Sequence, residues 1–182
     1  MMSYEIIFGF ARAFPLIIIS SVLLSYFLTN NVDLLLLGIF LSINDVVNHG
    51  LKTLIFKPLI GGKTLPFLGI GKRPNGAKNC GMFKYCPPEI ASSYGMPSGH
   101  SQNAVFFSTY VILNLINSNF IYPTKVYGTV LFTSLALGIM YSRVYFKCHT
   151  VQQVIVGGLI GGVLGALYYE NKDKIKKLLK LH

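Results

Sequence analysis

Long apolar segments are the feature of this sequence that most constrains its fold. The chain has 182 residues, of which 52% are hydrophobic and only 12% are charged, and its mean hydropathy is +0.55. The apolar residues come in blocks long enough to cross a bilayer, rather than in the amphipathic spacing of soluble helices. We therefore predict an integral membrane protein of the all-α class, a polytopic bundle of transmembrane helices.

The apolar blocks define about five spans, with six as the alternative count. They lie near residues 13–29, from Val32 through DLLLLGIFLSI, and near 101–116, 126–141 and 150–169. A loop of about forty residues, near 55–98, separates the second and third spans. Loops of that length in compact domains are usually functional or disordered. In a five-span bundle this loop and the loop between spans four and five lie on the same side of the membrane.

Positive charge is concentrated in two places. The net charge is +10, and five lysines fall in the last eleven residues, after the final span. A second basic cluster lies in the long central loop. No nucleic-acid-binding module accompanies these residues, so anionic lipid headgroups or a phosphorylated substrate are the expected partners. We expect one domain over residues 1–182, with a cytosolic basic tail at 171–182 and the loops on the lumenal or exterior face.

The last span contains the segment GGLIGGVLGA, at residues 157–166. Its glycines give overlapping pairs of small residues four positions apart, which allow a neighbouring helix to approach closely. The pattern predicts helix packing, and we assign it no chemistry.

Polar residues gather where the third span begins, in the stretch YGMPSGHSQ at residues 94–102. Ser98, Gly99 and His100 stand at the predicted start of a helix, where backbone N–H groups have no partner and attract anions. Gly99 has no side chain to keep a ligand away from the backbone. The stretch therefore predicts a phosphate-binding turn, with His100 placed as an acid.

A second polar stretch, SRVYFKCHTVQQ at residues 142–153, joins spans four and five. Arg143 ends one span and His149 opens the next, so both face one cavity. Gln153 lies four residues after His149, where its amide oxygen accepts the imidazole Nδ1–H and leaves Nε2 free to attack phosphorus. Cations without an acidic cluster favour metal-free phosphoryl transfer through a phosphohistidine, with no metal and no cofactor.

These motifs resemble the type 2 phosphatidic acid phosphatase superfamily. Its signature is a lysine upstream of Arg-Pro, then PSGH, then SRx5H, and it is found here between about residues 44 and 162. The resemblance implies a membrane helical bundle around one active site, with His149 as nucleophile and His100 as general acid. The phosphate-binding residues that it implies are Lys52, Arg73, Ser98, Gly99 and Arg143.

The chain departs from the family pattern at two places. Twenty residues separate Lys52 from Arg73 where six are usual, so Lys57, Lys63 or Lys72 are alternatives to Lys52. Gln153 stands where most members have aspartate. Glutamine at this position, with GMPSxHSQ and HTxxQV, is similar to the dolichyl diphosphatase branch. That implies a polyprenyl diphosphate, cleaved to the monophosphate in the endoplasmic reticulum.

Several alternatives stay open at the level of sequence. Phosphatidate or another lipid phosphate is the second substrate class, and a catalytically silent protein that binds anionic lipid is the alternative of a different kind. The natural lipid and the oligomeric state are not fixed, and a homo-oligomer is one option. Cys80 and Cys86 flank a short loop and are consistent either with a disulfide or with two free thiols.

Overall fold

The computed structural model describes residues 2–77, 80–81 and 93–180, and it is dominated by five long helices. In chain order the elements are α1 (Met2–Thr29), α2 (Val32–Gly50), a π-helical segment (Leu51–Phe56), α3 (Lys57–Ile60), β1 (Thr64–Leu65), β2 (Gly69–Ile70), α4 (Gly99–Ile116), α5 (Tyr122–Tyr145) and α6 (Val151–Leu178). The predicted all-α bundle is confirmed, and its five long helices overlap the five predicted apolar segments in sequence.

Three helical segments in the described part of the chain are long and apolar enough to cross a membrane. They are Glu5–Thr29, Val32–Ile60 and Val151–Leu178. The polar residues Gln102 and Asn103 in the first turns of α4 lower its hydropathy, yet both are fully buried against protein rather than lipid. Large apolar side chains of α5, such as Val130 and Leu131, are exposed, as expected for a helix that contacts lipid. The chain is a membrane protein by these measures.

The second span is longer than the sequence predicted. Helical structure continues from α2 through the π-helical segment into α3, so the loop begins after Ile60 rather than near residue 55. The reason is that the polar residues Asn44 and Asn48 are buried inside the bundle and do not mark a solvent-exposed end. In the π-helical segment the Lys57 N–H donates to the Lys52 carbonyl, one residue beyond α-helical spacing.

The loop that follows contains a small hairpin that the sequence did not reveal. Strands β1 and β2 pair antiparallel, with Thr64 opposite Ile70 and Leu65 opposite Gly69. Gly69 has φ +67°, a left-handed conformation that glycine adopts without strain. The hairpin returns the chain toward the bundle, directly before Lys72 and Arg73.

Glycines of α6 form its contact with α4, as the spacing predicted. A Cβ on Gly157, Gly161 or Gly165 would lie 2.4, 2.1 and 2.6 Å from the carbonyl oxygens of Ser98, Gln102 and Phe106, respectively. No side chain fits at those distances, so the two backbones lie in direct contact. The C-terminal end of α6 lies at the end of the bundle away from Ser98 and the start of α4. There Lys176 pairs with Asp33 of α2 at 2.8 Å.

We expect Gly161→Ala to destabilise the protein, because its new methyl group would overlap the Gln102 carbonyl and force α4 and α6 apart. Overpacking of this kind costs about 1–3 kcal/mol. Gly162→Ala is the matched control, since a Cβ there meets its nearest neighbour, Val105, at an ordinary 3.6 Å. Thermal unfolding in detergent should show a lower Tm for Gly161→Ala only. Equal shifts in the two variants would contradict the close α4–α6 contact.

Candidate active site

Five segments meet at one end of the bundle, and they carry the residues that the motifs singled out. Lys52 lies just after α2, Arg73 follows the hairpin, and Ser98 precedes α4. Arg143 lies in the last turn of α5, and His149 lies two residues before α6. Hydrogen bonds join Arg73 to His149, the His149 N–H to the Arg143 carbonyl, and the Ser98 N–H to the carbonyl of Gln153 in α6.

Two hydrogen bonds fix the tautomer of His149. Its Nδ1 lies 3.0 Å from the Gln153 Oε1, and its Nε2 lies 3.2 Å from an Arg73 Nη1. Arg73 can only donate, so Nε2 must be the acceptor and Nδ1 must carry the proton. The unprotonated Nε2 therefore faces the guanidinium, as required of a nitrogen nucleophile beside a bound anion.

The Gln153 amide is held in one orientation by its surroundings. Its Nε2 donates to the carbonyls of Ile70 at 2.9 Å and Lys72 at 2.7 Å, which leaves Oε1 to accept from His149. Its backbone carbonyl accepts the Ser98 N–H at 3.0 Å. An aspartate could accept from the histidine but could not donate to two carbonyls. Glutamine at this position therefore connects His149 to the loop that carries Arg73.

Arg143 is a fully buried cation. Its Nη1 donates to the Ala11 carbonyl at 3.2 Å and its Nη2 donates to the Cys80 carbonyl at 2.9 Å. Its Nε is buried and has no hydrogen-bond partner among the described residues. A buried donor without a partner is costly, and a bound anion would satisfy it.

Arg73 reaches the site from the loop. In addition to its contact with His149, its Nη1 donates to the Cys148 carbonyl at 2.9 Å, and its Nη2 donates to the Ser93 hydroxyl at 2.9 Å. Burial lowers the pKa of the Arg73 guanidinium to about 10, so the group is desolvated and still charged at neutral pH.

The candidate lysines differ in their position. Lys52 is half-buried, and its charge acts on the imidazoles of both His100 and His149. Lys57, Lys63 and Lys72 are all exposed. Lys57 and Lys72 line the same cavity as Lys52, and Lys63 does not. This arrangement favours Lys52 for the first motif.

Lys52, Arg73 and Arg143 have no ion-pair partner among the residues that the structure describes. The salt bridges in that part of the chain are those of Lys176 with Asp33 and Asp173. Burial, followed by the charges of Arg73, Lys52 and Arg143, holds the pKa of His149 well below its usual value. The imidazole is therefore neutral at neutral pH, in a site with excess positive charge. Such a site favours an anion.

The turn before α4 is tightly packed. Ser98 is fully buried, and its hydroxyl accepts a hydrogen bond from the Ser101 hydroxyl at 3.0 Å. Gly99 lies against Asn48, whose Oδ1 would be 3.0 Å from a Cβ at that position. The N–H groups of the first helical turn have no partner within the helix, so they are available to an anion.

His100 is held by a residue that the sequence did not single out. Its Nε2 lies 2.9 Å from the carbonyl oxygen of Arg12 in α1, so Nε2 carries the proton and Nδ1 is the remaining ring nitrogen. Arg143, Lys52 and Arg73 act electrostatically on this ring as they do on His149. Both histidines therefore share one cationic environment.

A buried network of amides supports the turn and was also missed. Asn48 donates to the Gln102 Oε1 at 2.7 Å, and Gln102 donates to the Asn44 Oδ1 at 2.8 Å. Asn103 accepts from Asn44 and donates to Asp45 at 2.6 Å. The sequence did contain an indication of this network, because these polar residues lie on otherwise apolar helices. Polar side chains in that setting usually face the protein interior and pair with one another.

The structure pairs Cys80 with Cys148, and their Cα atoms are 5.9 Å apart. This excludes the disulfide between Cys80 and Cys86 that the sequence left open, and Cys86 itself lies outside the described residues. The bond ties the central loop to the residue next to His149. The spacing of the cysteines gave no indication of it, because their 68-residue separation is bridged only by the fold.

A cavity of about 570 Å³ is lined by Arg73, which contacts His149, and by Lys52, Lys57, Lys72 and Tyr94. None of its described lining residues is acidic. Within the described ranges, no group of three or more histidine, cysteine, aspartate or glutamate side chains is arranged to hold a metal ion.

The family model of the PAP2 superfamily matches residues 14–177. Lipid phosphate phosphatase gamma of Arabidopsis thaliana is 42% identical over 84 residues, covering 44% of this chain and 37% of that protein. Dolichyldiphosphatase of Saccharomyces cerevisiae is 27% identical over 157 residues, covering 85% and 58%. Dolichyldiphosphatase 1 of Homo sapiens is 31% identical over 137 residues, covering 71% and 48%. The chain thus spans about a third to three fifths of these relatives, and no solved structure matches it.

We expect Gln153→Glu to raise the pKa of His149, because a carboxylate beside Nδ1–H favours the imidazolium. Protonation removes the Nε2 lone pair, so the acid limb of the kcat/KM profile should move to higher pH by about one unit or more. The variant also loses the donor to Ile70 and Lys72, so activity at the optimum should fall as well.

The matched control for that variant is Gln152→Glu, which adds the same charge on an exposed neighbouring side chain. Measuring kcat/KM against pH on one substrate removes the substrate's own titration from the comparison. The acid limb should stay in place for Gln152→Glu. Equal displacement in both variants would show that the contact between Gln153 and His149 does not control the ring.

Proposed function

Since this chain belongs to the PAP2 superfamily, we propose that it is a membrane phosphatase that hydrolyses a polyprenyl diphosphate to the monophosphate without a metal ion. One observation carries the proposal above all others. The unprotonated Nε2 of His149 faces Arg73, in a site whose three buried or half-buried cations have no acidic partner in contact among the described residues. A phosphate group supplies the missing negative charge and the electrophile.

Phosphate binding comes first in the proposed mechanism. The guanidinium groups of Arg73 and Arg143 and the ammonium of Lys52 surround the terminal phosphate. The Nε of Arg143, which has no partner within the described structure, donates to it. The first N–H groups of α4, near Ser98 and Gly99, donate to the same oxygens. These donors are fixed before substrate arrives, so little reorganisation accompanies the growth of charge in the transition state.

Phosphoryl transfer then proceeds through His149. Its Nε2 forms a bond to phosphorus as the bond to the leaving oxygen breaks, and the electron pair departs with that oxygen. His100, whose Nε2 proton is held by the Arg12 carbonyl, takes up a proton from water at its free Nδ1 and donates that proton to the leaving oxygen where one is needed. Water next attacks the phosphohistidine, releasing phosphate and restoring the neutral imidazole. Gln153 keeps the Nδ1 proton in place and so directs Nε2 toward phosphorus throughout.

The substrate class rests on the names of relatives and on charge. Two of the relatives described above are dolichyldiphosphatases. The cavity lined by Arg73 presents three further cations, Lys52, Lys57 and Lys72, which is more than a single phosphate requires. A second candidate, a phosphatidate or other lipid monophosphate, is favoured by the similarity to lipid phosphate phosphatase gamma.

We also propose a lumenal site in the endoplasmic reticulum. The Cys80–Cys148 disulfide lies at the end of the bundle that holds the histidines, and disulfides persist in oxidising compartments. Lysines of the last turns of α6 lie at the other end, which the positive-inside tendency assigns to the cytosol.

A phosphate-release panel tests the substrate class. Purified full-length protein in detergent is given dolichyl diphosphate, farnesyl diphosphate, phosphatidate and glucose 6-phosphate, each with and without EDTA. We expect the polyprenyl diphosphates to be preferred and EDTA to have no effect, because cationic donors would hold the phosphate. Preference for phosphatidate would support the second candidate. Release from none of the four would contradict a lipid phosphatase, and a strict Mg²⁺ requirement would contradict the chemistry.

We expect His149→Ala to lower kcat by about 10³-fold or more, as loss of a nucleophile does in other enzymes. Substrate radiolabelled in its terminal phosphate should leave alkali-stable, acid-labile label on the wild-type protein and none on the variant. His149→Asn, which keeps a polar side chain in the buried site, guards against loss of folding, and thermal unfolding checks both variants. Turnover retained by either folded variant would rule out His149 as the nucleophile.

A further inference from the structure

The cavity that Arg73 lines has an inner and an outer set of cations. Arg73 and Lys52 form the inner set, because both are half-buried and an Arg73 Nη1 lies 3.2 Å from the His149 Nε2. Lys57 and Lys72 line the same cavity, and both are exposed. The outer lysines therefore form its solvent-facing part.

The outer wall of the cavity is held in place by the backbone. The Tyr94 hydroxyl lies 3.3 Å from the carbonyl oxygens of both Phe56 and Gly61, at the two ends of α3. Gly71 packs so closely on that phenol that a Cβ would overlap the oxygen. Lys57 begins α3, so the position of its backbone is set by these contacts.

Lys72 is connected to the nucleophile through one side chain. Its carbonyl accepts the Gln153 Nε2–H at 2.7 Å, and the same amide holds His149 through Oε1. Its ammonium lies beside Gly62, just after α3. The backbone of Lys72 is therefore held in place relative to His149, and Tyr94 holds the two ends of α3, which begins at Lys57.

We propose that Lys57 and Lys72 bind the second phosphate of a diphosphate substrate, the one that remains on the lipid and leaves with it. The inference rests on the proposed function and assigns its substrate class to particular residues. It accounts for why the cavity extends beyond the cations that surround a single phosphate.

The chemistry of the leaving group gives these lysines a role specific to diphosphates. As Nε2 of His149 bonds to the terminal phosphorus, the bridging P–O bond breaks and its electron pair goes to the lipid monophosphate. Negative charge therefore grows on the phosphate that remains attached to the lipid. This phosphate lies next to Lys57 and Lys72, which stabilise the charge. A lipid monophosphate has an alkoxide leaving group and no phosphate at that position, so it gains nothing from the two ammonium groups.

The test compares two substrates with one tail, farnesyl diphosphate and farnesyl monophosphate. We expect Lys57→Gln/Lys72→Gln to lower kcat/KM roughly 10- to 100-fold for the diphosphate, as expected for lost charge-assisted hydrogen bonds. The same variant should change kcat/KM for the monophosphate by about twofold at most. Lys63→Gln is the matched control, because Lys63 is exposed on the same loop and does not line the cavity.

The assay uses full-length protein in neutral detergent without anionic lipid, so that binding of lysines to headgroups cannot contribute. Inhibition constants for pyrophosphate and orthophosphate repeat the comparison without turnover, and only the pyrophosphate constant should rise in the double variant. Equal losses on both substrates, or no loss on the diphosphate, would overturn the assignment while leaving the phosphatase proposal intact. A wild-type protein that cleaves neither substrate would instead overturn the proposed function.

Discussion

The buried amide of Gln153 is the interaction on which the geometry of the site depends, because it joins segments that are far apart in sequence. Its oxygen accepts the proton of His149 Nδ1, its nitrogen donates to the loop that carries Arg73, and its backbone carbonyl accepts the Ser98 N–H. His149, the loop that carries Arg73 and the turn before α4 are thus positioned by one residue. Since each partner is a fixed donor or acceptor, the amide has a single satisfied orientation, and the histidine has a single tautomer.

The arrangement of cations in the site has an electrostatic cost. Desolvated cations repel one another and stay unfavourable without an anion. Lys52, Arg73 and Arg143 have no ion-pair partner among the described residues, and backbone carbonyls of Ala11, Cys80 and Cys148 satisfy the guanidinium groups only in part. The disulfide and the close α4–α6 contact supply the rigidity that keeps these charges together. Stability is therefore sacrificed at the site where we propose that a phosphate binds.

Much of this site could be predicted from local sequence, and the rest depends on contacts between distant residues. The apolar blocks predicted the five long helices, the glycines of α6 predicted its contact with α4, and the spacing of His149 and Gln153 predicted their hydrogen bond. The predicted end of the second span was wrong, because its polar residues were assumed to be exposed to solvent. Asn44 and Asn48 are instead buried and form hydrogen bonds with residues of α4. The carbonyl of Arg12 and the Cys80–Cys148 bond come from tertiary proximity, which no local pattern encodes.

The long separation of Lys52 from Arg73 has a structural explanation in the same terms. The additional residues form the end of a long helix and a hairpin that returns the chain, so the two cations still act on one histidine. The segment is attached to the rest of the structure near both of its ends. The Tyr94 hydroxyl contacts the Phe56 carbonyl, and the Gln153 amide donates to the Lys72 carbonyl. Because the segment also forms the wall that carries Lys57 and Lys72, its length enlarges the cavity without displacing the first-motif lysine. The departure from the family's spacing therefore adds cavity wall without separating Lys52 from Arg73, since both line the same cavity.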